Sequence, residues 1–195
     1  MEDLIRIACI GDSNTFGFDP QSLIGSRYPR AVRWTGRLDE GGFAVKNLGV
    51  NGLCVSRLSL HSFLLSGLRT GPRPDFVTVM LGSNDLLTGL SVEETGEAMR
   101  RLLIRVREEN AADRILLIAP PPFTRGVWVD TEEQIEASHR LAAEYEKVSE
   151  ETGVLFADAG TWHIPLAFDG VHFTEEGHRI FAEKLAEILR GYHAD

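Results

Sequence analysis

Leu4-Ile5-Arg6-Ile7-Ala8-Cys9-Ile10-Gly11-Asp12-Ser13-Asn14-Thr15 begins as an apolar run and ends as a turn. Near-continuous apolar character over Leu4–Ile10 is what a strand covered on both faces requires, as in a parallel sheet. The glycine then closes the strand. A serine at a sharp strand-to-helix turn presents its hydroxyl at the top of the sheet. Its own N–H is one of the first amides of a helix, which lack intrahelical acceptors and are free to face a developing oxyanion. Taken alone, the residues fit a serine N-cap beside a turn glycine equally well. They are not the Gly-x-Ser-x-Gly elbow of the α/β-hydrolases, because Thr15 stands where the last glycine would be.

Four more runs share this composition: Phe43–Leu48, Phe76–Leu81, Arg114–Ala119 and Val154–Ala157. Helical spacing of apolar residues separates them. Met99, Leu102, Leu103 and Val106 form one stripe in Val92–Glu109. Ile135, Leu141, Ala142, Tyr145 and Val148 do so in Glu132–Glu151, and Ile180, Phe181, Leu185, Ile188 and Leu189 in Glu175–Leu189. Two further helices are expected over Pro29–Glu40 and Val55–Leu68. Ser91 with Glu94 makes a capping box, and Thr174 marks the start of the last helix. Alternating strands and helices predict one α/β domain over residues 1–195, doubly wound with right-handed crossovers. The longest irregular stretch, Pro120–Asp130, follows the fourth strand at the carboxyl edge, where such sheets bind ligands.

Three other segments at element ends carry polar chemistry. Asn47-Leu48-Gly49-Val50-Asn51-Gly52 follows the second strand and brings two glycines that permit close backbone approach. Gly82-Ser83-Asn84-Asp85 follows the third; an asparagine there offers an N–H donor to a substrate oxygen, or else makes an ordinary Asx turn. Asp169-Gly170-Val171-His172 precedes the last helix. An acid three positions before a histidine is able to hold one ring nitrogen while the other faces a nucleophile. A turn with a surface histidine is the plainer alternative.

Jointly, the four blocks resemble the GDSL/SGNH hydrolase family, in family order and over nearly the whole chain from Gly11 to His172. The resemblance implies a three-layer, flavodoxin-like sandwich with a five-stranded parallel sheet in the order 2-1-3-4-5. Carried over by position, Ser13 is the nucleophile and His172 its general base, oriented by Asp169. Ser13 and Gly52 supply backbone N–H groups, and Asn84 a side-chain N–H, to the oxyanion; Gly49 is the other glycine available. The first block has Asn14 where the family's name has leucine. Asn14–Pro20, with Phe16, Gly17, Phe18 and Asp19, looks like the bacterial arylesterase and acyltransferase-like branch, in which a homo-oligomer is credible.

The implied activity is serine-dependent carboxylic ester hydrolysis through an acyl-enzyme, with no cofactor and no metal. The lack of a long groove-forming insertion favours short acyl groups such as acetyl, including aryl esters. Carbohydrate deacetylation and lysophospholipid cleavage are alternatives within the family. Asp12, Phe16, Phe123, Trp128 and Trp162 are expected to line the substrate site, with Phe18 and Phe173 as further candidates and Trp128 foremost, because it sits on the long loop. Asp12 and Asp85 are also expected to fix the turns around Ser13 and Asn84.

The 195-residue chain carries a net charge of −9 with dispersed basic residues, which argues against a nucleic-acid partner. No apolar run approaches the roughly 20 residues of a membrane span, so membrane insertion is not expected. The acidic start and two cysteines point to a cytoplasmic setting, with Cys9 in the core. His61 reads as structural, and His139, His178 and His193 as solvated helix positions. His163 reads as a loop residue near the site, and Asp158 as an alternative acid for His172, with its distance in sequence favouring Asp169. Two rivals remain: a metal-dependent phosphohydrolase using Asp12, Asp85 and Asp169, and a non-catalytic binding module on the same fold.

Overall fold

The computed structural model describes residues 4–22, 24–57, 62, 65–109 and 114–194. The five apolar runs form one parallel sheet from β1 (Ile5–Gly11), β2 (Phe43–Gly49), β3 (Phe76–Met80), β4 (Arg114–Ala119) and β5 (Leu155–Asp158), in the order β2-β1-β3-β4-β5. The strand order reverses between β1 and β3, which pair in register from Ile7↔Phe76 to Gly11↔Met80. That reversal opens a crevice at the carboxyl edge, the usual ligand position in such sheets.

Alternate side chains of each strand enter different cores. Ala8 and Ile10 join Val77, Val79, Leu117 and Ala119 on one face. Ile7 and Cys9 join Phe76, Met80, Leu116 and Ile118 on the other. The helices, in chain order, are α1 (Ser13–Phe16), α2 (Trp34–Glu40), α3 (Ser83–Leu87), α4 (Val92–Glu108), α5 (Glu132–Thr152) and α6 (Glu175–Ala194). The stripes of α4 and α5 cover the first face, and α2 with α6 the second. Such burial on both sides is why these strands read as near-continuous apolar runs.

Helix ends follow their caps. Ser91 and Glu94 form the expected capping box of α4, and Thr131 with Gln134 forms a second one that opens α5. The helix expected from Pro29 begins only at Trp34. Val32 and Arg33 N–H both turn back to the Pro29 carbonyl. The helix expected over Val55–Leu68 is helical at residues 62 and 65–68, preceded by a turn near Ser56; His61 lies outside the described residues. Cys9 and Cys54 are free and buried, and burial pushes the Cys9 thiol up to about 12, so it behaves as an apolar core residue. Among the described residues no helix is long and apolar enough to cross a membrane.

Candidate active site

Four segments converge at the carboxyl edge, one after each of β1, β2 and β3 and one before α6. Asp12 caps α1: its Oδ1 accepts from the Asn14 N–H at 3.0 Å. This places Ser13 at the first helical position, where its N–H has no intrahelical acceptor. Gly49 is needed behind this turn. A Cβ there would overlap the Phe16 backbone, so only glycine lets β2 approach α1 so closely. Asn47 secures the same contact, donating from Nδ2 to the Thr15 carbonyl at 2.7 Å and accepting the Gly49 N–H at 2.8 Å.

Across the crevice, the ring of His172 lies between Ser13 and Asp169. His172 Nε2 is 2.8 Å from Ser13 Oγ, and Nδ1 is 2.7 Å from Asp169 Oδ2. Asp169 Oδ1 accepts the N–H groups of Val171 and His172, each at 2.9 Å. All three side chains are buried, with Ser13 at 8% exposure the most open of them. Burial alone raises the Asp169 pKa. The hydrogen bonds from the His172 ring and from the His172 and Val171 amides overcome this and hold it below its ordinary 3.8. The carboxylate is therefore ionised at neutral pH, so Nδ1 carries the proton and Nε2 is left to accept from the serine hydroxyl.

Asn84 is the second residue of α3, directly after Ser83. Its Nδ2 donates to the Leu53 carbonyl at 3.2 Å and lies 3.4 Å from Asp12 Oδ2. It therefore sits between the end of β1 and the Gly52–Leu53 turn. Gly52 is exposed, with φ at +69°, and its N–H has no partner among the described residues. The Gly49 N–H is already given to Asn47, whereas the Gly52 N–H makes no such bond among the described residues.

The expected substrate contacts divide. Trp128 packs edge-on against His172, with ring centroids 4.8 Å apart, and is 49% exposed. Phe18 flanks the same imidazole at 4.7 Å. Phe16 lies half-buried beneath the Arg27 guanidinium. Phe123 is instead a core residue with Val129 and Val171. Trp162 packs on Phe181 in the opposite core, 5.1 Å away. Phe123 is taken by apolar burial, the default fate of an aromatic ring, whereas Trp162 is half-buried against that other core. Phe173 is fully buried. Asp12 is 3% exposed and faces Asn14 and Asn84, not open space. Burial, with Asp85 nearby, pushes its carboxyl up to about 6 against the pull of the Asn14 amide and His172.

Other expectations are corrected by local packing. Asp85 does not fix its own turn. It is fully buried and accepts the Val55 and Ser56 N–H groups at 2.8 and 2.9 Å, anchoring the segment that follows Gly52. His178 is not solvated but completely buried, ringed by Tyr28 and Phe173, with Trp34 N–H directed at its Nδ1. His139, His163 and His193 are exposed. Asp158 caps the short 3-10 turn Ala159–Trp162 through the Gly160 N–H and is not bonded to His172. Asp12, Asp85 and Asp169 each spend oxygens on separate protein donors and do not share a centre; among the described residues no three His, Cys, Asp or Glu side chains gather as a metal site.

The long loop after β4 is fastened to the acid-bearing turn. Thr124, Val127 and Trp128 N–H donate to the carbonyls of Gly170, Phe168 and Asp169 at 3.1–3.2 Å. Gly126 packs so closely on the Asp169–Gly170 backbone that a Cβ would overlap it. Hence the loop that carries Trp128 is held in register with the turn that carries His172.

A serine, a histidine and an acid are thus linked at the switch point of a doubly wound α/β sheet, where folds of this class place their ligand sites. The chain belongs to the GDSL-like lipase/acylhydrolase family, whose model matches residues 9–180. It is similar to the M. smegmatis aryl esterase, with a TM-score of 0.86 and 29% identity over 95% of this chain and 98% of that one. It is also similar to a carbohydrate acetylesterase from Sinorhizobium meliloti, with a TM-score of 0.84 and 25% identity over 96% and 99% of the two chains. An acetylxylan esterase of Xylanibacter ruminicola is 28% identical over 96% of this chain and 43% of its own length. The chain thus spans less than half the length of the curated relatives it matches.

Proposed function

We propose that this chain is a serine-dependent carboxylic ester hydrolase acting through an acyl-enzyme on short-chain esters, acetyl esters foremost. The observation that carries the reading is the line Ser13 Oγ, His172 Nε2, His172 Nδ1, Asp169 Oδ2, with hydrogen-bond spacing at both steps. As Ser13 Oγ bonds to the ester carbonyl carbon, its proton passes to His172 Nε2. The imidazolium is stabilised by Asp169 and returns that proton to the departing alcohol. Water then gives a proton to His172 and attacks the acyl-serine, which releases the acid and restores the hydroxyl. The Ser13 and Gly52 N–H groups and Asn84 Nδ2 serve the oxyanion, each such donor contributing about 2.7–4 kcal/mol to barrier lowering.

Aryl and carbohydrate esters are the favoured alcohol portions. Trp128 supports this: a half-exposed indole beside the imidazole offers a flat apolar face to an aryl or sugar ring. The similarity to an aryl esterase and to carbohydrate and xylan acetylesterases points the same way. A cytoplasmic setting suits the two buried free thiols. The test is a substrate panel run with the wild type and Ser13→Ala: 4-nitrophenyl esters from C2 to C12, acetylated xylan fragments and a lysophospholipid. Acetyl esters should be turned over fastest and only by the wild type. Preference for the longest acyl chains or the lysophospholipid would overturn the substrate assignment.

A further inference from the structure

Asn14 follows the nucleophile, is 4% exposed, and turns its side-chain amide across the crevice. Its Oδ1 accepts the Phe173 N–H at 2.9 Å, and its Nδ2 donates to the Val171 carbonyl at 3.1 Å. Those two groups belong to the residues immediately before and after His172. One amide therefore grips the backbone on both sides of the imidazole from a position one residue beyond Ser13.

Asn14 is itself fixed. Its N–H is held by Asp12 Oδ1, and its carbonyl accepts Trp34 Nε1–H at 2.9 Å. Asp169 acts differently: its bonds to Val171 and His172 lie within one turn and orient the ring there. They do not tie that turn to α1. The loop bearing Trp128 is bonded to residues 168–170, again on the histidine side.

We infer that Asn14 is a positioning residue that sets the separation of Ser13 Oγ and His172 Nε2 by clamping the histidine turn onto the nucleophile helix. This rests on the Ser13–His172 reading above. The chemistry suits the residue: a carboxamide offers one acceptor and two donors, and the turn presents one N–H and one carbonyl. Leucine, which the family's name has here, is close in shape and offers neither.

The test uses Asn14→Leu, which keeps the branched side-chain skeleton and removes both bonds, and Asn14→Ala, which removes the bonds and most of the side chain together. Active sites are titrated to completion with a fluorophosphonate, so that kcat on 4-nitrophenyl acetate is expressed per competent serine and any unfolded fraction drops out. The expected result for both variants is a kcat per titrated site lowered roughly tenfold to a hundredfold, as displacements on the order of 1 Å produce, with KM within about twofold of wild type. A kcat per site within about twofold of wild type in either variant overturns the inference. Ser13→Ala, run alongside, separates the two failures: if it stays active, the underlying triad reading falls; if it is dead while the Asn14 variants match wild type, only the clamp falls.

Discussion

His172 and Ser13 lie 159 residues apart in the chain, yet Nε2 and Oγ approach to 2.8 Å. The sheet makes this possible, since β1 delivers the serine and the turn before α6 returns the histidine to the same carboxyl edge. Asp169 completes the line at 2.7 Å from Nδ1.

Replacement of Asp169 by Asn separates orientation from charge. The amide nitrogen cannot accept the Nδ1 proton, so the ring is driven to the wrong tautomer and kcat should fall by about 10³–10⁴. The same variant tests linkage. Because the folded Asp169 pKa lies below its ordinary 3.8, its contribution to stability is present above that value and lost as pH falls through the folded one. Urea midpoints measured below about pH 4 should therefore drop more steeply in wild type than in Asp169→Asn.

His178 has the opposite role, a neutral histidine kept inside. Burial, with Arg37, Arg33 and His172 around it, lowers its pKa from 6.5 to about 3. Between these values the unfolded chain binds a proton that the folded chain refuses. The stability is complete above 6.5 and declines as pH drops towards 3. His178→Phe should flatten that decline, read as a smaller difference between urea midpoints at pH 7.5 and pH 4.5. An unchanged difference would mean that His178 is not the group responsible.

Asn84 reaches both Leu53 and Asp12 from the start of α3. Asn84→Ala should slow turnover by roughly a hundredfold or more, the usual loss of one oxyanion donor. The protein should stay folded, as circular dichroism would report. An unchanged steady-state rate would remove Asn84 from the oxyanion site.

Trp128 lies on the rim rather than in the core, so its loss should fall on binding. Trp128→Ala is expected to raise KM for aryl acetates about three- to tenfold, on the order of 1 kcal/mol of ring contact. The melting temperature should move little, because half the side chain already faces solvent. A large fall in melting temperature with KM unchanged would make Trp128 a structural anchor.

Much of this arrangement is legible in the sequence because parallel strands bury both faces. Leu4–Ile10 and its four counterparts stand out for that reason, and the polar residues that follow them mark the carboxyl edge. Trp128 is legible from its place on a long loop at that edge. Phe123 and Trp162 are not separable from it by residue type, since an aromatic beside a strand end packs inward or outward according to neighbours distant in sequence. His178 did carry a signal: it shares the stripe of Phe181, Ala182 and Leu185 along α6, and that spacing points to the core. The reach of Asp85 to Val55 and Ser56, and of Asn14 to residues 171 and 173, spans loops whose approach only the folded chain defines.

Whether His172 makes Ser13 nucleophilic is read by fluorophosphonate labelling located by peptide mass spectrometry, on wild type and His172→Ala. The phosphonyl group should appear on Ser13 alone in the wild type, and the rate of labelling should collapse in His172→Ala. Label on another residue, or equal labelling rates in the two proteins, would contradict that activation.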